Sequence, residues 1–198
     1  MPKVGMEPIR RKALIEATIN EIGAVGSLDV TVGKIAKRAG VSSALAHHYF
    51  GGKDQILLAA MRSILARFGA NVKHELAGAK TPLQRLEAII AASFHADNFQ
   101  PQVVASWLTF YVLAQNSKDA QRLLQVYAQR LQSNLVYDLG KLTDRDQAHR
   151  IANGMASIID GFYIRQALQT HSDRDDTISI VSEYLHLQLK QASLRTHT

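Results

Sequence analysis

The chain has no cysteine. That excludes disulfides, thiolate metal sites and cysteine nucleophiles, and it fits a reducing compartment. No run approaches the roughly eighteen consecutive apolar residues of a membrane-spanning helix. The opening, Met1-Pro2-Lys3-Val4-Gly5-Met6-Glu7-Pro8, has no apolar leader core. A cytoplasmic protein is therefore expected. Strand-like alternation bounded by turn residues is missing, as are internal repeats and low-complexity tracts. No glycine-rich phosphate loop occurs, which argues against a nucleotide enzyme. Hydrophobic residues at 46% and charged residues at 20% argue against disorder.

What is present is positive charge, and it is unevenly placed. Residues 1–62 hold nine Lys/Arg against five acids, while the other 136 residues are close to balanced. A basic first third attracts polyanions. Every long periodic segment reads as helix. Ile15, Ile19 and Ile22 fall at i, i+4, i+7, and Gly23 and Gly26 allow that helix to stop. Val32, Ile35, Ala36 and Ala39 mark a short helix capped by Thr31 and ended by Gly40. Ser42 and Ser43 can cap a third, running to about Tyr49. Gly51-Gly52 breaks the chain before a long helix from Lys53. Pro82 and Pro101 open two more. The segment from Val103 to Ala114 is apolar nearly all round, and is expected in the centre of a second domain. Helices over 118–139, 144–169 and 177–191 follow, then a frayed tail from Ala192.

Residues 31–50, TVGKIAKRAGVSSALAHHYF, form a helix-turn-helix pattern. Val32, Ile35, Ala36, Val41, Ala46 and Phe50 can share a small core that fixes the angle between the two helices. Ser43, Ala44, Leu45, His47 and His48 are left to face outward on a helix narrow enough for the ~12 Å major groove. Lys34, Lys37, Arg38 and Lys53 flank it, where phosphates would lie. The chain is thus expected to be all-α. A DNA-binding domain would occupy residues 1–52, continuing into a linking helix over 53–77, and a ligand-sensing and dimerisation domain would occupy 78–198.

Residues 10–57 resemble the DNA-binding domain of the TetR family of repressors. The match is carried by Ala17, Gly26, Thr31, Ile35-Ala36, Ala39-Gly40-Val41-Ser42, Tyr49-Phe50, Lys53 and Leu57. The resemblance implies that Thr31, Tyr49 and Lys53 hold phosphates, with Ser42 beside them, and that Ser43, Ala44, Leu45, His47 and His48 face the bases. Ala46 departs from the larger apolar residue usual in the family, and Gly51-Gly52 is a looser link than usual. A narrower resemblance reaches most of the chain through VSSALAHHYF, the region around Trp107-Leu108-Thr109-Phe110, Arg130 to Val136, and Ile158 to Arg165. It is to members of that family that respond to choline and govern glycine betaine synthesis, an osmoprotective pathway.

A quaternary ammonium is held by aromatic faces and a nearby carboxylate, each ring contact contributing ~0.5–2 kcal/mol. Trp107, Phe110 and Tyr111 share one helix face, and Asp160 and Tyr163 lie at i, i+3 on another helix. The same spacing also suits core aromatics, and the residues alone leave both readings open. Ile151, Met155, Ile158 and Phe162 form one apolar stripe, and Ile178, Val181, Leu185 and Leu189 a second. Paired with their symmetry mates, these stripes would make a dimer interface, as a palindromic operator requires. His47 and His48 are adjacent and make a poor metal pair, and His74-Glu75 lacks a second histidine. No catalytic residue, metal site or cofactor is expected. The rival readings are a TetR-like repressor of drug efflux answering to a larger hydrophobic cation, and a helical enzyme or interaction module with a basic head.

Overall fold

The computed structural model describes residues 5–26, 29–168 and 173–196. The leader reading of residues 1–4 and the tail reading of residues 197–198 lie outside it. Every regular element among the described residues is an α-helix: α1 Met6–Val25, α2 Val32–Arg38, α3 Ser43–Phe50, α4 Lys53–Leu76, α5 Pro82–Ser93, α6 Pro101–Asn116, α7 Lys118–Leu139, α8 Arg145–Ala167 and α9 Arg174–Thr196. None of the described helices is long and apolar enough to cross a membrane.

The boundaries follow local chemistry. Gly26, at φ 66°, ends α1 by donating its N–H to the Ile22 carbonyl at 2.8 Å. Gly23 does not end the helix but lies inside it. Thr81 and Gln84 form a reciprocal capping box before Pro82, so α5 starts sharply. Asp144 caps α8 by accepting from the Gln147 N–H at 2.9 Å. The last helix starts three residues before the expected Thr177. Asp175 and Asp176 sit in its first turn, where carboxylates suit the helix dipole. Thr177 is instead buried within the helix, its hydroxyl donating to the Asp173 carbonyl at 2.8 Å. Past Ala192 the backbone stays helical to Thr196.

The chain divides into two compact units, each built from two stretches of sequence. The first comprises the described residues up to Ala66 together with Gln100–Leu123; the second comprises Arg67–Phe99 and the described residues from Leu124. α6 packs along α1 and so falls in the first unit. In the first unit Leu14, Ile22, Val30, Val32, Ile35, Ala36, Ala46, Ile56 and Leu57 make a buried core, with Val41, Phe50 and Leu113 packed against it.

In the second unit α8 and α9 pack together, and α9 also meets α5. Phe94 is fully buried, with Phe99 and Phe162 edge-on to it at 5.5 and 6.0 Å. Asp138 on α7 is also fully buried. Arg85 Nε donates to both its carboxylate oxygens, at 3.1 and 2.9 Å, and Lys141 Nζ reaches it at 3.0 Å. The hydrogen bond that Lys141 donates to Asp138 raises the Lys141 pKa above the usual lysine value, against a smaller opposing effect of desolvation.

Candidate nucleic-acid interface

The turn between α2 and α3 is built by backbone hydrogen bonds. After Ala39 the chain turns left-handed at Gly40, φ 68°. The Gly40 N–H donates to the Lys37 carbonyl at 3.2 Å and the Val41 N–H to the Ala36 carbonyl at 3.0 Å. These are the two bonds of a Schellman motif, and a residue with a Cβ would be strained there. Both helices are capped by side chains. Thr31 Oγ1 accepts from the Lys34 N–H and Ser42 Oγ from the Leu45 N–H, each at 3.2 Å. Each hydroxyl accepts the capping bond and keeps its own O–H to donate to a phosphate oxygen.

Ser42, Ser43, Ala44, His47 and His48 are exposed, and Leu45, Tyr49 and Lys53 are half-buried. Ala46, the departure from the family pattern, is fully buried in the head's core. The small residue allows α3 to sit close against α2. His47 Nδ1 lies 3.3 Å from the Gly51 carbonyl, which can only accept. Nδ1 is then the protonated nitrogen, and Nε2 remains for a base edge. Gly51, at φ 79°, caps α3 by donating its N–H to the His47 carbonyl at 2.7 Å. The flexible link thus has a defined turn.

Two contacts were hidden from sequence reasoning. The Arg11 guanidinium stands 5.1 Å from the ring centroids of both Tyr49 and Phe50, bracing the end of α3 from α1. Arg38 is ion-paired to Glu21 at 2.6 Å and so ties α2 to α1. Lys34, Lys37 and Arg38, with Glu21, line one surface groove of the head. These partners lie far apart in sequence, and no local pattern announces them.

The proposed ligand residues fall in different settings. Trp107 and Phe110 are buried on α6, and the Trp107 and Tyr111 rings are 6.0 Å apart. They belong to the first unit, whereas Asp160 and Tyr163 belong to the second. Tyr163 is a core residue. Its hydroxyl donates to the Ser93 carbonyl at 2.6 Å and its ring packs edge-on to Phe99 at 5.4 Å. Asp160 is exposed and faces a groove of about 750 Å³ between α7 and α8, with Tyr127, Tyr137, His149 and Asn153. One helix carries the two residues, but they face different surroundings.

The residues of the two expected interface stripes divide by burial. Ile151, Met155, Val181 and Leu185 are fully buried within the chain, and Ile158, Phe162, Ile178 and Leu189 are half-buried. The first four pack their own unit, and the other four keep part of their surface open. The exposed large apolar residues here are Ile164 on α8 and Leu168 at its C-cap, and Ile180, Leu187 and Leu194, seven apart, on α9.

The DNA contacts separate in a competition experiment. Lys53→Ala is expected to weaken operator and random DNA alike and to lower the salt slope by about one unit. His47→Ala is expected to cost ~1–3 kcal/mol more on operator than on random DNA. Equal losses on both DNAs would make His47 a backbone contact, and an unchanged salt slope would remove Lys53 from the phosphates.

Comparison with known proteins agrees with this geometry. Residues 14–60 match the family of bacterial regulatory proteins of the TetR type, and residues 82–190 match the BetI-type transcriptional repressor C-terminal family. The chain is 53% identical over 190 residues to the HTH-type transcriptional regulator BetI of Brucella melitensis, covering 96% of each chain. It is 48% identical over 191 residues to that of Rhizobium meliloti, covering 96% of this chain and 94% of the relative. Solved structures share the fold at lower identity. A putative transcriptional regulator of Pseudomonas aeruginosa superposes with a TM-score of 0.81 at 23% identity, over 95% of this chain and 94% of that one. A putative regulator of Saccharomonospora viridis, solved in complex with choline, gives 0.77 at 19% identity, over 91% and 97%. With a capped helix-turn-helix head and relatives that are regulators rather than enzymes, the chain belongs to the TetR family of transcriptional regulators, as a BetI-type repressor.

Proposed function

We propose that the protein represses genes for choline uptake and glycine betaine synthesis, and that choline releases it from a palindromic operator. Identity of 53% to a BetI regulator over 96% of the chain, extending through the C-terminal helices, carries the reading. The choline complex of a protein of the same fold supports it. The effector is assigned to the aromatic face of α6, where Trp107, Phe110 and Tyr111 offer rings to a trimethylammonium group. Asp160 belongs to the second unit and faces its own groove, so it is left out of this assignment. Tyr163 is left out, because its hydroxyl is committed to Ser93.

The repressor acts as a homodimer, since two heads must meet two half-sites. The exposed residues Ile164, Leu168, Ile180 and Leu187 supply the apolar face for a second copy. Choline favours a separation of the heads that no longer matches the groove spacing.

Calorimetry tests the effector. Trp107→Leu is expected to weaken choline binding about tenfold or more, one decade being ~1.4 kcal/mol, while operator binding without choline is kept. Glycine betaine adds a carboxylate that an apolar aromatic face leaves unsatisfied, so it should bind more weakly than choline. No heat from millimolar choline with the wild-type protein would overturn the effector assignment.

A further inference from the structure

His47 is tied at one ring nitrogen and open at the other. Its Nδ1 lies 3.3 Å from the Gly51 carbonyl at the end of α3. The Gly51 N–H is donated back to the His47 carbonyl at 2.7 Å, so ring and backbone close on the same turn. Gly51 reaches that turn with φ at 79°, where a residue with a Cβ would be strained. A carbonyl only accepts, so the proton of the neutral ring sits on Nδ1. Nε2 then carries a lone pair and no hydrogen. The Gly51 contact thus turns a ring that could either donate or accept into an acceptor.

The other groups around it have different capacities. Ser43 and Ala44 lie one turn before His47 on α3 and are exposed with it. The Ser43 hydroxyl can donate or accept, and Ala44 has only a methyl. Lys34, Lys37 and Arg38, along the neighbouring groove, only donate, which suits phosphates. A fixed acceptor has little to do at a phosphate, whose oxygens are acceptors too. In the major groove the hydrogens on offer are those of the exocyclic amines, adenine N6 and cytosine N4, whereas purine N7, guanine O6 and thymine O4 are acceptors.

We propose that His47 reads an exocyclic amine, adenine N6 or cytosine N4, by accepting its hydrogen at Nε2. The proposal rests on His47 facing a base, as argued above for the helix-turn-helix. Set against N7 or O6, the same ring would bring two lone pairs together and leave both without a hydrogen. The Gly51 turn is therefore a specificity element of the head, although it offers the DNA no side chain.

The test alters one base atom at a time. The full-length protein is bound to duplex DNA from upstream of its own gene, at about pH 8, above the range in which imidazole ordinarily titrates. Low salt keeps weakened variants bound through phosphates. N6-methyladenine and N4-methylcytosine still pair, but a methyl replaces the amine hydrogen that points into the major groove. Deazapurines lack N7. Each is placed singly along the operator, and wild type is compared with His47→Ala. At one position of the half-site, methylation of the amine is expected to weaken wild type about fivefold or more and His47→Ala by less than about twofold. Loss of N7 is expected to affect the two proteins alike at every position.

A position where loss of N7 weakens wild type but not His47→Ala would show Nε2 donating. That would overturn the proposal while leaving His47 on a base. Methylation that affects both proteins alike throughout the operator would overturn it as well. If His47→Ala also loses equally on operator and random DNA, the base-facing reading of His47 falls with it.

Discussion

Leu168→Arg combined with Leu187→Arg is expected to give a folded monomer and to lower operator affinity by about 10²–10⁴-fold, the avidity lost when two linked heads become one. Both positions are open to solvent, Leu168 at 68% and Leu187 at 58% exposure. Arginine there costs the isolated chain little, but it puts charge into a face that a second copy would have to desolvate. Leu185→Arg is a different experiment. Leu185 has no exposure, so arginine at that position would unfold the unit before it could report on association. Sedimentation and circular dichroism separate the two outcomes. A Leu168→Arg/Leu187→Arg variant that remains dimeric would move the interface off this face.

Asp138→Ala is expected to lower stability by about 1–3 kcal/mol. The carboxylate is fully buried and is the shared acceptor of Arg85 and Lys141. Removing it leaves Arg85 and Lys141 without their shared acceptor, although Lys141 keeps the Tyr137 ring 3.7 Å from its Nζ. Their side chains are 34% and 41% exposed, so water can hydrate them, and the loss stays below the roughly 3–5 kcal/mol of a wholly buried pair. At this chain length each kcal/mol moves Tm by about 2–4 °C. Thermal unfolding followed by circular dichroism reads the change. An unaltered Tm would show that the clasp adds nothing to the fold.

The head was legible because its determinants are local. Thr31 and Ser42 cap the helices they precede, and Gly40 takes the left-handed turn that its position demands. The body was legible as helices but not as surfaces. Ile151, Met155, Val181 and Leu185 do form apolar stripes, and periodicity marks which face of a helix is buried. It carries no information on whether that face meets the same chain or a second one, and here all four are buried in their own chain. Gly23 shows the same limit. A glycine that stops a helix and a glycine that admits a neighbouring helix read alike in sequence, and only the position of Gln102 tells them apart. The apolar run of α6 was expected to be buried, and Trp107 and Phe110 are, whereas Tyr111 is half-buried and Val112 exposed. The place of α6 in the first unit was not foreseen, because the packing of α6 on α1 joins segments about eighty residues apart.

The central claim is that this repressor leaves its operator when choline binds. The most direct measurement is a gel shift of the DNA upstream of its own gene, with choline chloride and glycine betaine titrated in parallel. The account predicts a retarded complex that millimolar choline dissolves and that glycine betaine disturbs less. A complex that persists unchanged through millimolar choline would contradict it.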